Sequence, residues 1–385
     1  MRLLDRYVLK NFLAPFLFCF LGFLAIWLVF DLGDNVTEFI EAKVSPVHVA
    51  KFYATQFPQI AVMSLPVGLL LALLYSLSRM SRSNELISML GAGVSVSRVL
   101  LPLFIVGGLV TGGSLALNYK LAPNSEAIKK QVLSEIMKKK FKGGDYNGLL
   151  FRNRMANRTW YIEKMTREHP NDLYGIHITQ QNRDGNITTK YYARRAIFDP
   201  EKKAWNLERG KTVHFDEQGN IVNEELWATG SNAAREITDW SETPRRIASA
   251  SLDPQNLSVP ELREYLQFNA DFPETQLAPY RTNFYYRWAR PWECLVVILI
   301  AAPLGIVYSR KGVLGGVAAA IFFYTAMLFV TNLLLALGKG DRIPALVAAW
   351  APYAFFASLG LGLLRLRSRN RELPTFNSLF GKKIK

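Results

Sequence analysis

Two cysteines and four histidines are all that this chain of 385 residues carries, and that scarcity excludes several kinds of chemistry. Cys19 and Cys294 both fall in or beside apolar runs, and the long polar stretch between them has none, so no disulfide framework holds that stretch together. Each reads as a small packing residue rather than a reactive thiol. His48, His169, His177 and His214 are scattered, without the His-Glu-x-x-His or Cys-x-x-Cys spacing of a zinc site. His177 and His214 sit in strand patterns and read as half-buried sheet residues. No Gly-x-Ser-x-Gly elbow occurs. Gly338-Lys339-Gly340 has neither the upstream glycine nor the following hydroxyl of a phosphate-binding loop. Any directional work this chain does must draw its energy from a partner or from an ion gradient.

What the chain has in quantity is apolar sequence, hidden by a mean hydropathy of only +0.08. Runs able to cross a hydrocarbon core, about 20 residues each, lie at 12–30, 54–78, 99–118, 292–308, 313–337 and 345–364. The first is long, lacks a small-x-small cleavage site and is followed by further spans, so it is not read as a cleavable signal. Inside the runs ionisable residues are nearly absent, with Glu293 the main candidate and Arg287 and Arg290 near enough to pair with it. Because gradient-driven carriers place such costly groups in their spans, coupling to a separate ATPase is favoured. Gly108 to Gly112 and Gly312 to Gly316 offer small faces for close helix approach.

Between the third and fourth runs the period changes from helical to alternating. Thr159 to Met165, Leu173 to Thr179, Ile187 to Ala193 and Thr212 to Phe215 are β-branched and aromatic segments bounded by turn residues. Arg183-Asp184-Gly185-Asn186 and Asp216-Glu217-Gln218-Gly219-Asn220 supply hairpin turns. Ser258-Val259-Pro260-Glu261 reads as a capping box opening a short helix with Leu262, Tyr265 and Leu266 on one face. The expected fold is an α-helical membrane protein of six transmembrane helices with an inserted all-β domain, a sandwich of short antiparallel strands. The boundaries are 1–120 for the first three spans, 121–280 for the β domain, 281–366 for the last three spans and 367–385 for a basic tail.

The formal charge of +15 reads as topology rather than affinity for nucleic acid. Arg2, Arg6 and Lys10, then Arg79, Arg82 and Arg98, then Arg310 and Lys311, and the basic tail fall on one side of the predicted spans. The short loops opposite carry Lys43, Lys51, Lys339 and Arg342. By the positive-inside rule both termini and the 79–98 loop are cytosolic and the β domain lies outside. The basic run from Lys129 to Lys142 opposes this, but long domains translocate largely regardless of charge.

Arg82-Ser83-Asn84-Glu85-Leu86-Ile87-Ser88-Met89-Leu90-Gly91-Ala92-Gly93-Val94-Ser95, together with Leu4-Asp5-Arg6-Tyr7-Val8-Leu9-Lys10, resembles the YjgP/YjgQ permeases, the LptF/LptG subunits of the lipopolysaccharide exporter. The layout of three spans, β domain and three spans extends the resemblance over nearly the whole chain. Phe198-Asp199-Pro200-Glu201-Lys202-Lys203-Ala204-Trp205-Asn206-Leu207 and Leu257-Ser258-Val259-Pro260-Glu261-Leu262 resemble LptG more than LptF. The resemblance implies a multi-pass protein of the bacterial inner membrane in a Gram-negative envelope. It pairs with a sister permease (LptF-like) over a dimeric cytosolic ATPase (LptB-like). Lipopolysaccharide is drawn sideways out of the membrane, and a periplasmic β domain, a jelly-roll in the family, passes it to bridge proteins (LptC/LptA-like). No cofactor, metal or catalytic residue is implied for this chain, since ATP is used by the partner.

Glu85 matches the coupling-helix position of the family, where it meets the ATPase, with Leu86, Met89 and Leu90 at helical spacing to fill an apolar groove. The alternative has Glu85 capping its own helix and the leucines resting on lipid. The family's basic residues toward the outer end of the first span are replaced here by Val29-Phe30-Asp31-Leu32-Gly33-Asp34-Asn35. Lys43, Arg281, Arg287 and Arg290 are the candidate lipid head-group cations instead, or else interfacial anchors. Trp160, Ile162, Ile176 and Ile178 are candidates for an acyl-chain path in the β domain, or ordinary sandwich core. Two other functions fit the layout: a mechanotransmission permease that moves the outside domain without passing lipid, and a membrane-anchored scaffold or receptor, which leaves the 82–95 helix unexplained.

Overall fold

The computed structural model describes residues 3–41, 44–123, 125, 129, 146–166, 169, 171–227, 234–249, 253–306 and 313–368. The chain divides into two compact units, one made of 1–132, 258–260 and 278–385 and the other of 133–257 and 261–277. In chain order the described helices are α1 (Leu3–Glu41), α2 (Pro46–Arg82), α3 (Glu85–Gly91), α4 (Val96–Ala116), α5 (Pro244–Ser249), α6 (Val259–Phe268), α7 (Glu274–Ala289), α8 (Glu293–Gly305), α9 (Val313–Lys339) and α10 (Ala345–Ser368). A π-helical turn, Leu117–Leu121, prolongs α4, and a 3₁₀ turn, Arg290–Trp292, joins α7 to α8.

Six of these stretches are long and apolar enough to span a membrane: α1, α2, α4 with its π turn, α7 with α8, α9 and α10. The helices outrun the apolar runs that announce them. α1 has 39 residues, about 58 Å at 1.5 Å per residue, against a hydrocarbon core of about 30 Å. The fourth span starts at Glu274 rather than near 292, because its first turns carry Tyr, Trp and Arg, which are helix-compatible but fail an apolar count.

The helical unit is organised around α8, whose residues Cys294 and Val296 to Gly305 are all buried, as an all-apolar helix must be. Small residues set how closely its neighbours approach. A methyl group added at Gly360 of α10 would meet the backbone of Leu299 at 2.9 Å, and one at Gly305 would meet Leu77 of α2 at 2.9 Å. Gly107 of α4 sits directly over the Ile298 side chain. Gly108, Gly112 and Gly315, the expected small-residue faces, have open space instead. Spacing alone cannot tell which side of a helix meets its neighbour. At the end of α8, the buried Arg367 of α10 donates to the Ile306 carbonyl, a cation set against a helix C-terminus.

α1 is held differently. Asp5, Val8 and Phe12 near its start and Phe39 near its end are buried, while no residue from Leu13 to Thr37 is.

The second unit contains β1 (Tyr146–Asn153), β2 (Arg158–Met165), β3 (Asp172–Gln181), β4 (Ile187–Asp199), β5 (Ala204–Phe215), β6 (Ile221–Trp227) and β7 (Ala234–Ile237). They form one antiparallel sheet in the order β1-β2-β3-β4-β5-β6, with β7 also on β5. The all-β domain is there, and five of its six described pairings join strands consecutive in sequence, the pairing of β5 with β7 being the exception. Both expected turns form. Asn182 Oδ1 accepts from the Asp184 and Asn186 amides at 3.0 and 2.9 Å. Asp216 Oδ1 accepts from Gln218 and Asn220 at 2.9 and 2.7 Å. The Asn220 amide, then its side chain, hold the Asp216 carboxyl below its usual range. β6 escapes a sequence reading because six of its seven residues are exposed, which erases the alternation that marks a half-buried strand.

Candidate functional site

The 82–95 segment folds as a short helix between two spans. Asn84, in the left-handed region at φ 61, breaks the chain away from α2, and α3 begins at Glu85. Gly93, at φ 83, donates its amide to the Leu90 carbonyl at 3.0 Å and turns the chain toward α4. Leu86 is 1 % exposed and joins the core of the helical unit, with Met89 and Leu90 packed against it. Leu86 therefore anchors α3 to its own chain, which corrects the expectation that it fills a partner's groove, while Met89 and Leu90 are half-buried beside it. The outward residues are Ile87, 38 % exposed, with Ser88, Gly91 and Ala92. A stripe at i, i+3 and i+4 marks one face of a helix without saying whose core it enters.

Two long-range bonds fix this segment to the first turns of α1. Tyr7 Oη donates to Glu85 Oε2 at 2.8 Å, and Arg98 of α4 donates to Asp5 Oδ2 at 2.8 Å. Periodicity does not link Tyr7 to Glu85, 78 residues away, or Asp5 to Arg98, 93 residues away.

Of the head-group candidates, Arg287 and Arg290 lie within electrostatic reach of each other. Lys43 lies outside the described residues. Arg281 is half-buried in α7. Arg287 is buried, with its carbonyl accepting from Asn118 Nδ2 at 2.6 Å and its guanidinium 3.4 Å from Asn118 Oδ1. That is a tie between the third and fourth spans, not an open cation. Arg290 approaches the Tyr286 ring, 6.0 Å from its centre. Glu293 is buried and accepts from Tyr324 Oη of α9 at 3.0 Å. The tyrosine donates to one carboxyl oxygen, and Arg290, which the sequence offered, lies within electrostatic reach of the same carboxyl.

At the far end of α1 from Tyr7, Lys129 donates to Asp31 Oδ1 at 3.0 Å and lies 5.6 Å from the centre of the Phe52 ring. A cation thus reaches the acidic 29–35 stretch from beyond the third span. Its signal in the sequence is the basic run that Lys129 opens. Beside it an apolar cavity of about 470 Å³ opens between α1 and α2, lined by Leu24, Trp27, Leu28, Tyr53, Phe57 and Ile60 among others.

In the β unit Trp160, Ile162, Ile176 and Ile178 are each 0 % exposed. The ladder sets Trp160 opposite Ile178 and Ile162 opposite Ile176, so all four share one face. Trp205 and Trp240 lie against Trp160, both at 5.1 Å between ring centres. Glu242, itself fully buried, accepts from Arg158 at 2.8 Å and Asn153 at 3.0 Å, and its carbonyl takes the Trp205 indole N–H at 2.7 Å. In this conformation the four candidates form a closed core rather than an open slot.

A family profile, "Lipopolysaccharide export system permease LptF/LptG", matches residues 6–366. The chain belongs to that family. This permease is 22 % identical over 383 residues to the lipopolysaccharide export system permease protein LptG of Escherichia coli (strain K12), covering 95 % of this chain and 98 % of the relative. It is 20 % identical over 386 residues to the LptG of Haemophilus influenzae (strain ATCC 51907 / DSM 11121 / KW20 / Rd), covering 96 % and 99 %. It is a transmembrane subunit of the lipopolysaccharide transport machinery, not the subunit that does the chemistry.

Proposed function

We propose that this permease takes the LptG place in an ATP-driven exporter of the bacterial inner membrane. It pairs there with a sister permease above a dimeric cytosolic ATPase. ATP is bound and hydrolysed by that partner, and this chain converts the ATPase's movement into extraction of lipopolysaccharide, or a related anionic glycolipid, toward periplasmic bridge proteins. The observation that carries the reading is α3, a seven-residue helix between two spans, seated by Leu86 on its own core, with Glu85 at its start and Ile87 and Ser88 turned outward. Such a seat suits a mobile partner, because pushing on α3 pushes the bundle. A carboxylate there meets a partner's Arg by a charge-assisted bond, and Ile87 supplies the apolar contact.

The short-loop basic residues support an orientation with α3 and both termini in the cytosol and the β unit in the periplasm. Lys129 and Arg281 are the cations proposed for a lipid phosphate at the outer mouth, with the α1–α2 cavity taking acyl chain. A maleimide that cannot cross membranes should label Arg183→Cys in intact spheroplasts and leave Ser83→Cys unlabelled until the membrane is opened. The reverse pattern would invert the topology. The functional test is purification of the wild-type chain in detergent from its own membranes. Recovery of a second permease and an ATPase supports the exporter, and recovery of the chain alone removes the assignment.

A further inference from the structure

We infer that Asp5 and Tyr7 make the start of span 1 part of the coupling unit. Movement of α3 then enters span 1 through side chains, although α1 is separated from α3 in sequence by the whole of α2. The inference rests on the proposed ATPase contact at α3 and adds to it the route that the motion takes.

Three observations converge. First, residues 5 and 7 lie about 200° apart around a helix, at 100° per residue, so they reach in opposite directions. Tyr7 holds Glu85 at the start of α3, and Asp5 holds Arg98 in the first turn of α4, both at 2.8 Å. The first turns of α1 are gripped on both sides of the bend that presents α3. Second, the same turns supply Val8 at 1 % and Phe12 at 0 % exposure, buried in the core cluster that also contains Leu86, Val96 and Val99. Apolar packing therefore backs the two polar bonds. Third, from Leu13 to Thr37 no residue of α1 is buried. A helix that leans on one neighbour along part of its surface, as α1 does on α2 at Phe20 and Trp27, follows its cytosolic seat more readily than one buried along its length.

The bonds differ in kind. Asp5 and Arg98 are an ion pair with side chains 10 % and 33 % exposed, so their attraction is screened less by solvent than that of a surface pair. Tyr7 bonds Glu85 at an exposed site, where either oxygen of the carboxylate can accept, so Glu85 keeps capacity for a cation from the ATPase while Tyr7 still holds it. Glu85 is then the point where the partner and span 1 meet.

The test uses the whole complex with its ATPase, in a background with Cys19 and Cys294 replaced by Ala. Spin labels at Leu21→Cys in span 1 and Leu361→Cys in α10 occupy exposed positions, 50 % and 43 %. Their separation is read without nucleotide and with ATP and vanadate. The expected result is a nucleotide-dependent shift in the otherwise wild-type chain. The shift should fall to roughly half or less in Asp5→Asn/Tyr7→Phe, as expected when a two-state element loses its link to the effector site. The swap Asp5→Arg/Arg98→Asp should restore it relative to Asp5→Arg alone. An unchanged shift in the double variant, or no shift with the ATPase bound and cycling, overturns the inference. If the double variant fails to assemble, the swap decides: assembly with the wild-type shift supports the link, and assembly without it refutes it. Absence of the ATPase from the wild-type complex would refute the coupling reading itself, a different outcome from an ATPase that is bound but does not move span 1.

Discussion

Glu85→Lys is expected to strip the ATPase from this permease while leaving the chain folded, in the membrane and paired with its sister subunit. Among the described residues Glu85 makes one exposed bond, to Tyr7, so reversal removes little from the fold. At an interface it replaces a charge-assisted bond by two facing cations. The loss comes to about 3 kcal/mol or more, roughly a hundredfold in affinity. Recovery of ATPase with the tagged variant should fall accordingly, and ATP-dependent export with it. Leu86→Ala should behave differently. It empties a fully buried position in the helical core at a cost of about 2–5 kcal/mol, so the permease itself loses thermal stability in detergent. Loss of the ATPase from Leu86→Ala at full permease stability, with retention in Glu85→Lys, would mean that α3 faces the other way.

Gly210→Val is expected to do the opposite, keeping the ATPase and losing lipid delivery. Gly210 lies on β5 between Ala193 of β4 and Trp227 of β6. A methyl group there would collide with the Tyr192 carbonyl oxygen, and would lie 2.5 Å from the Trp227 ring and 2.9 Å from the Ala193 Cα. The obstruction is partly backbone, so no rotamer relieves it, and opening three strands costs about 3 kcal/mol or more. The β unit holds Trp160, Trp205, Trp227 and Trp240, so its near-ultraviolet dichroism should drop and proteolysis within it should speed up. The helical unit has its own core and should still bring down the ATPase. Gly108→Ala, with open space around it, is the matched control and should change neither. A Gly210→Val complex that exports at the wild-type level would show that the β unit is dispensable for transfer.

Much of the fold was legible because two periods are hard to confuse. Runs of about twenty apolar residues have one stable form in lipid, and alternating β-branched segments with Asn and Gly between them are hairpins by turn chemistry. What could not be read was which neighbour each face meets. Leu86, Met89 and Leu90 form a correct stripe that closes on their own bundle. Trp160, Ile162, Ile176 and Ile178 form a correct alternation that is sealed by Trp205 and Trp240. The polar ties were further out of reach, because Tyr7 with Glu85, Asn118 with Arg287 and Tyr324 with Glu293 join positions 31 to 169 residues apart, and periodicity carries no signal at such distances. Glu293 was noticed because a carboxylate in a span is costly. Tyr324 went unnoticed, since a tyrosine among apolar residues looks like any other ring.

The most direct measurement is transfer of lipopolysaccharide from proteoliposomes containing the purified complex to a soluble acceptor, with and without ATP, for wild type and Glu85→Lys. Transfer by wild type that requires ATP, and loss of that transfer in the charge reversal, is the predicted result. ATP-independent transfer at the same rate, or ATP-dependent transfer undiminished by Glu85→Lys, would contradict a permease driven through α3.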